Sequence, residues 1–171
     1  MTLFETARLR ARHFEERDAE ALYAICRDPL AMRWMGDGEP LSFEQCQEWI
    51  TISQRNYATR GYGASAVELR AAAGLIGFCG LVYAPGSSQP EIIYAFGQPW
   101  WGQGYASEIV PAMLDYGATA CGLTRILATI DPLNLASCRV AEKAGMRFVG
   151  LEPEPDGQII RVYVRERPPA Q

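Results

Sequence analysis

The sequence predicts a single mixed α/β (α+β) domain, and three observations support this prediction. The chain has 171 residues, of which 49% are apolar and 21% charged, a balance that suits one soluble domain with a sizeable core. Short stretches rich in β-branched and aromatic residues alternate with longer stretches that carry helix caps and helical spacing. No internal repeat or linker divides the chain, so we place the domain at residues 1–166 and expect residues 167–171 to form a disordered tail.

Composition and charge exclude several classes of protein. The 16 basic and 20 acidic side chains give a net charge of −4, so the chain as a whole has no electrostatic reason to bind nucleic acid or acidic lipid. No apolar run approaches about 20 residues, and no leader peptide is visible, so we expect a cytoplasmic protein without a membrane span.

Cysteine and histidine usage argues against metal sites and disulfides. The five cysteines are widely spaced and include no Cys-x-x-Cys pair, which favours free thiols in a reducing compartment. His13 is the only histidine, so zinc sites built on several histidines are excluded, and we expect no metal. A Ser-His-Asp hydrolase would need His13, which falls inside a predicted strand.

The first elements are a strand and a short helix. Apolar and arginine side chains alternate from Thr6 to Phe14, which predicts a half-buried strand whose basic face forms a solvated edge. Asp18 is a suitable N-cap for a helix that extends through Arg27, and Pro29 prevents easy continuation.

A longer helix and a strand pair follow. Ser42 and Gln45 have the spacing of a capping box, which predicts a helix from there to about Arg60, ended by Gly61. The stretches Tyr62–Leu69 and Leu75–Tyr83 then predict an antiparallel pair of strands.

The segment from Glu91 to Val110 organises the chain. Glu91 to Phe96 has the composition of a covered strand, and a Gly-rich turn at Gly102 and Gly104 leads into a helix that begins at Tyr105 and reaches about Cys121. A helix start carries unpaired N–H groups and a partial positive charge, so this turn can hold an anion such as a phosphate.

The last elements are a strand, a short helix and a hairpin. Arg125–Ile130 is a β-branched strand, and residues 131–137 lead into a helix that ends at Gly145. The stretches Met146–Leu151 and Ile159–Arg165 predict a terminal hairpin whose turn spans residues 153–157.

Two segments resemble a known family. Residues 101–106, Trp-Gly-Gln-Gly-Tyr-Ala, resemble the pyrophosphate-binding segment of the GNAT acyl-CoA N-acyltransferases, [Gln/Arg]-x-x-Gly-x-[Gly/Ala], with Trp101 in place of the usual Gln or Arg. The wider stretch from Pro99 to Glu108 is similar to the branch that includes RimJ and RimL, the ribosomal-protein N-terminal acetyltransferases. Asn134 to Phe148 resembles the Asn-x-x-[Ser/Ala]-x-x-[hydrophobic]-x-Glu-Lys-x-Gly-[Phe] segment of the same family.

The resemblance implies a fold and an activity. The fold would be a mixed, mostly antiparallel central sheet whose middle strands splay apart, flanked by helices. The activity would be acetyl-CoA-dependent N-acetylation of a primary amine by direct attack on the thioester. The pattern thus implies acetyl-CoA as co-substrate and an amine acceptor as the second partner, and it leaves open whether the protein forms a homodimer.

The resemblance also implies roles for individual residues, each with a structural alternative. Glu91 is the candidate general base, or else an exposed carboxylate at a strand end. Ser137 is the candidate proton donor to the thiolate, or only a helix N-cap. Many relatives use a Tyr as the acid at the position where this chain has Ala141, so the usual Tyr is missing here. Asn134 matches the residue that holds the pantetheine arm, or is a capping Asn.

Two further groups complete the predicted site. A backbone N–H in the region Tyr94–Phe96 would polarise the thioester, and Trp34 and Met35 would border the acceptor pocket, unless they are buried anchors between helices. The predicted cofactor-binding residues are Phe96, Trp101, Gly102, Gln103, Gly104, Tyr105, Ala106, Asn134 and Ser137.

The acceptor is left with three alternatives. The first is the α-amino group of a protein or peptide N-terminus. The second is a small-molecule amine, such as an amino acid or an aminoglycoside-like compound. The third belongs to another class, a non-catalytic domain that binds or senses acyl-CoA.

Overall fold

The protein is described by a computed structural model that covers residues 1–84, 86–154 and 157–166. The expected tail at residues 167–171, and residues 155 and 156 of the predicted hairpin turn, lie outside the described part. No described helix is both long and apolar enough to cross a membrane.

The described residues form one eight-stranded sheet in the order β1-β2-β3-β4-β5-β6-β8-β7. Neighbouring strands are antiparallel except β5 and β6, which run parallel and are joined by the single pair Glu91 and Leu127. The middle strands therefore splay, as the family resemblance implies. The strands are β1 Thr2–Glu5, β2 Leu9–Arg12, β3 Ala64–Leu69, β4 Leu75–Tyr83, β5 Pro90–Phe96, β6 Arg125–Ile130, β7 Arg147–Pro153 and β8 Ile159–Glu166.

Helices cover both faces of the sheet and produce two apolar clusters. One cluster includes Phe14, Leu22, Ile50 and Phe78, and lies where α1 and α3 pack on the sheet. The other lies under α4 and α5. The helices are α1 Ala19–Cys26, α2 Pro29–Met32, α3 Phe43–Arg60, α4 Tyr105–Thr119 and α5 Leu135–Lys143, with single 3₁₀ turns at Glu16–Asp18 and Gln98–Trp100.

The caps of α3 are those that the sequence predicts. The Ser42 hydroxyl accepts the backbone N–H of Gln45 at 3.2 Å, and the Gln45 side chain accepts the backbone N–H of Ser42 at 2.7 Å. Gly61 ends the helix in the left-handed region at φ 82°.

The N-terminal prediction needs two corrections. The structure adds β1, a four-residue strand that covers β2, so β2 is not an edge. Asp18 does not cap α1, because its carboxylate accepts hydrogen bonds from Arg12 and from the backbone N–H of Glu15. As predicted, the first helix does not continue through Pro29: α1 ends at Cys26, and Pro29 opens the short helix α2 at its first position, where a missing N–H costs nothing.

Arg12 is the one arginine of the predicted basic face that is buried, whereas Arg8 and Arg10 stay partly exposed. The Arg12 guanidinium lies buried between Asp18, at 2.6 Å, and Glu68, at 2.6 Å, and the three side chains are only 8%, 5% and 12% exposed. Burial alone would raise the pKa of the Asp18 carboxyl, but the hydrogen bonds from Arg12 and Glu15 and the charge of Arg12 outweigh burial and lower it.

We expect Arg12→Met to lower the free energy of unfolding by about 3–5 kcal/mol, because it leaves two buried carboxylates without their cation. Arg10→Met is the matched control, since Arg10 is on the same strand and pairs with Glu5 at the surface. An exposed pair is worth at most about 1 kcal/mol. Urea unfolding of both variants measures the difference, and equal losses would contradict a structural role for the buried cluster.

The same cluster predicts a dependence of stability on pH. Because the native pKa of Asp18 is lowered, its contribution is complete above the unfolded pKa of about 3.9 and is lost as the pH falls through the native pKa. We therefore expect wild type to exceed Asp18→Asn in stability at pH 7, and the gap to close in acid. A constant gap between pH 7 and pH 2 would argue against this linkage.

Candidate active site

A cavity of about 600 Å³ opens where β5 and β6 diverge. Its walls are β5, the C-terminal half of β6, the N-terminal turn of α4, one face of α5, and the residues that follow α2. Ala141, at the position of the family's Tyr, is buried in its wall. Among the predicted site residues, the structure brings together Trp34, Met35, Glu91, Tyr94, Phe96, Trp101, Gly102, Gly104, Tyr105, Ala106, Asn134 and Ser137.

Gln103 is the one predicted site residue that does not line this cavity. Its side-chain amide donates to the backbone oxygen of Pro99 at 2.9 Å. Any contribution of Gln103 to the site therefore comes from its backbone.

The Gly-rich turn has the geometry of an anion cradle. Gly102 and Gly104 adopt φ values of 72° and 79°, which residues other than glycine rarely adopt. Within the described part of the chain, no backbone carbonyl accepts the N–H groups of residues 102–107. These donors stand at the positive end of α4, where a phosphate is stabilised.

Trp101 connects this turn to the strand that precedes it. Its indole N–H donates to the carbonyl of Phe96 at 2.6 Å. The residue that departs from the family pattern therefore has a contact of its own, between the last residue of β5 and the start of the turn.

The backbone of β5 presents N–H groups to the opening. The N–H of Gly97 donates to the carbonyl of Ile76 at 3.1 Å, on the β4 side. Since alternate residues of a strand direct their N–H groups to opposite edges, those of Tyr94 and Phe96 face the β6 side. Only Glu91 on β5 pairs with β6, so the donors of Tyr94 and Phe96 face the gap.

Tyr94 and Ser137 meet inside the cavity. The Tyr94 hydroxyl donates to the Ser137 hydroxyl oxygen at 2.9 Å, across 43 positions of sequence. Burial raises the pKa of Tyr94 to about 12, and the hydrogen bond to Ser137 offsets only part of that effect. The phenol therefore stays protonated at neutral pH, and the Ser137 proton is free to point elsewhere.

Glu91 lies at the point where the strands separate. The Thr129 hydroxyl on β6 donates to its carboxylate at 2.7 Å. Burial raises the pKa of Glu91, with a smaller raising effect from the charge of Glu154, and the Thr129 hydrogen bond only partly opposes burial. A carboxylate with a raised pKa is a better proton acceptor than an ordinary one.

Asn134 caps α5, and Ser137 does not. The side-chain oxygen of Asn134 accepts the backbone N–H of Ser137 at 3.2 Å, which is the standard N-cap arrangement. The alternative of a capping role is thus correct for Asn134 and wrong for Ser137. Capping uses only the Asn134 oxygen, and Asn134 also lines the cavity, where its amide nitrogen is a potential donor.

Trp34 and Met35 lie on the far side of the cavity, after α2. Trp34 is 36% exposed, and the Arg33 guanidinium lies 4.5 Å from its ring centroid, so Trp34 is not a buried anchor. Met35 packs partly on the cluster under α1 and α3. It also lines a second cavity, of about 480 Å³, that shares Met35, Gly36, Glu91 and Ile93 with the first.

Three contributions to the site are absent from the sequence-based prediction. These are the Thr129 hydrogen bond to Glu91, the Tyr94 hydroxyl as a partner of Ser137, and Arg8, whose guanidinium contacts the Gly-rich turn. Only the alternation of side chains in β6 could have indicated Thr129, and nothing local indicates the other two. Among the described residues, no group of three His, Cys, Asp or Glu side chains could hold a metal ion.

Comparison with known proteins gives a consistent result. A family model described as an acetyltransferase (GNAT) domain matches residues 8–147. The protein YkkB of Bacillus subtilis is 38% identical over 152 residues, which is 86% of each chain.

Solved structures share the whole architecture. A GNAT-family acetyltransferase from Bacillus anthracis superimposes with a TM-score of 0.80 at 29% identity, covering 97% of this chain and 98% of its own. RimL, a ribosomal L7/L12 α-N-protein acetyltransferase in complex with coenzyme A, gives a TM-score of 0.82 with coverage of 97% and 98%. Its identity is 17%, so this likeness shows the fold alone.

We expect Asn134→Ala to lower the free energy of unfolding by about 1 kcal/mol, because it removes the cap of α5. Asn134→Asp is the matched control, since it keeps an oxygen acceptor at the N-terminus of the helix and favours the helix dipole. Thermal and urea unfolding compare the three proteins. A loss of the same size in the Asp variant would show that the cap is not the source of the effect.

Proposed function

The chain belongs to the GNAT acetyltransferase family, and we propose that it transfers the acetyl group of acetyl-CoA to the α-amino group of a peptide or protein N-terminus. The observation that carries the proposal is one cavity that contains an anion cradle, unpaired strand N–H donors and a carboxylate with a raised pKa. Each is a group that acetyl transfer needs: the cradle lies at the start of α4, and the N–H donors and the carboxylate lie along β5.

The cradle and the strand suit the two ends of acetyl-CoA. Backbone N–H groups of residues 102–106 would receive the pyrophosphate at the start of α4. The N–H of Tyr94 or Phe96, at the gap between β5 and β6, would donate to the thioester oxygen as it gains negative charge. Asn134 would hold the pantetheine arm between them through its amide nitrogen.

Glu91 is the proposed general base. The attacking nitrogen must be neutral, and an α-amino group has a pKa of about 7.7–8.0, so its deprotonation at neutral pH costs little. The nitrogen bonds to the carbonyl carbon, Glu91 accepts the proton released by nitrogen directly or through water, and the carbon–sulfur bond breaks. The products are an amide and a coenzyme A thiolate that is later protonated.

Ser137 and Tyr94 are the proposed partners of the departing sulfur. Tyr94, with a pKa of about 12, is a weaker acid than a thiol, whose ordinary pKa is about 8.5. Net proton transfer from this pair to the thiolate is therefore uphill. We assign Ser137 a hydrogen bond to the thiolate, reinforced by the Tyr94 donor, in place of full acid catalysis.

The second cavity supports a peptide as the acceptor. It meets the first at Glu91 and then follows α3 from Trp49 to Arg60. Those eleven helical steps span about 16 Å, which matches roughly five extended residues. An N-terminus that enters along this groove would present its amine to Glu91 beside Trp34 and Met35.

The acidic rim of the same groove supports a second candidate. Asp37 and Glu39 line it, and carboxylates attract polycationic small molecules, such as an aminoglycoside-like amine. The two candidates differ in one measurable property, because only a peptide acceptor should improve as its chain lengthens along α3.

We expect mass spectrometry to detect acetylated products when the protein and acetyl-CoA are incubated with peptides of two to eight residues. The value of kcat/KM should rise with length to about five residues and then level off, because the groove is then filled. Peptides with a blocked N-terminus and a free lysine are the control and should stay unmodified. Acetylation of small cationic amines alone would favour the second candidate, and no product from any amine would leave the non-catalytic alternative.

In the same assay we expect Glu91→Gln to lower kcat about 10²-fold while the Kd of acetyl-CoA stays nearly constant. Because the native pKa of Glu91 is raised, the base is protonated and lost at a higher pH than an ordinary Glu. The wild-type rate should therefore fall in acid as two groups become protonated, Glu91 and the amine of the acceptor. The rate of the variant should fall with protonation of the amine alone. Identical pH profiles would remove Glu91 from the chemistry.

We expect Gly104→Val to weaken acetyl-CoA binding by about 2–4 kcal/mol, or roughly 30- to 1000-fold in Kd. A Cβ at Gly104 would lie 3.6 Å from Arg8, an ordinary contact, so the effect should arise from the φ of 79° that valine cannot adopt without strain. Gly122→Val is the matched control, with φ 67°, open surroundings and no place in the cavity. Calorimetric titration that gives equal affinities for both variants would refute the cradle.

A further inference from the structure

We propose that Arg8 is a positioning residue that holds the Gly-rich turn in its anion-binding conformation from outside the cavity. The inference rests on the proposed binding of acetyl-CoA at this turn. Arg8 lies between β1 and β2, far from the turn in sequence, and it does not line the cavity. It therefore acts through the residues that it contacts.

Three contacts join the Arg8 guanidinium to the turn and the first turn of α4. Nη1 donates to the carbonyl oxygen of Gln103 at 2.9 Å, and Nε donates to the Glu108 carboxylate at 2.7 Å. The guanidinium carbon lies 4.6 Å from the centroid of the Tyr105 ring. Such a planar fork can satisfy two acceptors while it stacks on an aromatic face, which a lysine cannot do.

Glu108 is itself firmly held, so it provides a fixed anchor for Arg8. Its carboxylate accepts the Thr6 hydroxyl at 2.6 Å and the backbone N–H of Arg8 at 2.7 Å. Burial alone would raise the pKa of Glu108, but these hydrogen bonds and the charge of Arg8 lower it, so the group is ionised at neutral pH. Three donors of the loop between β1 and β2 thereby attach it to α4 through Glu108.

The contact with Gln103 fixes the direction of a backbone donor. In a trans peptide the carbonyl of one residue and the N–H of the next point in opposite directions. When Arg8 holds the Gln103 carbonyl on the outer side, the Gly104 N–H must point to the other side. Gly104 has no side chain to restrain it, so an external restraint is needed to keep this donor aligned.

The sequence of the turn explains why the restraint comes from elsewhere. The family pattern begins with Gln or Arg, and this chain has Trp101, which donates to Phe96 and carries no charge. Arg8 supplies a donor to this corner from a distant part of the chain, and its charge is paired with that of Glu108.

The test compares Arg8→Gln with Arg10→Gln. Arg10 is another partly exposed arginine two positions further on, and it pairs with Glu5 away from the turn. Calorimetric titration with acetyl-CoA should give a Kd about 10-fold higher for Arg8→Gln, as expected for one lost charge-assisted restraint, and a wild-type value for Arg10→Gln. Arg8→Lys should recover only part of the loss, because it keeps the charge and loses the fork.

A truncated substrate separates positioning from general damage. Acetyl-pantetheine lacks the pyrophosphate, so the ratio of kcat/KM for acetyl-CoA to that for acetyl-pantetheine should fall about 10-fold in Arg8→Gln and stay constant in Arg10→Gln. The 3′-dephospho form of acetyl-CoA should show the same fall, which places the effect at the pyrophosphate.

The outcomes distinguish this inference from the proposed function. If wild type does not bind acetyl-CoA, the proposed function fails, and the inference fails with it. If wild type binds and Arg8→Gln binds equally well, only the role of Arg8 is overturned. An equal loss of kcat/KM with acetyl-CoA and with acetyl-pantetheine would show that Arg8 has only a structural role. If the Arg8→Gln variant does not fold, Arg8→Lys is compared with wild type in the same two assays.

Discussion

The site depends on one constraint, which is that β5 and β6 pair at a single position and then separate. On its other edge β5 pairs with β4 from Pro90 to Phe96, and β6 pairs with β8 along its whole length. The sheet is therefore continuous on both sides of the gap and open only between the two strands. Backbone donors that a complete sheet would consume remain available there, and α4 and α5 close the opening into a cavity.

The mixed character of that cavity explains its electrostatics. Most of its walls are apolar, and burial is the largest effect on the pKa of both Glu91 and Tyr94, which it raises. Each polar group has one partner from another element: Thr129 for Glu91 and Ser137 for Tyr94. One hydrogen-bond partner is enough to orient a group, but it does not compensate for the water that the group loses on burial. Both groups are therefore oriented and keep a raised pKa.

Local sequence was sufficient for the order of most strands and helices and for the Gly-rich turn, because caps, glycines and periodicity act within a few residues. It failed where the deciding contact is distant. The alternating arginines of β2 resemble a solvated face, and only the fold brings Glu68 against Arg12. Asn134 and Ser137 were both credible caps, and their choice depends on the backbone angle at the helix start. The four-residue β1 is too short and too exposed to show a pattern.

The indole bond of Trp101 has a consequence for substrate length. It joins the last residue of β5 to the start of the turn and so restrains the distance between the strand donors and the anion cradle. Under the proposed function this restrained distance selects acyl carriers by length. A thioester reaches the strand donors only if the arm that links it to its phosphates has the matching length. A carrier with a shorter or longer arm would have to leave one end unbound.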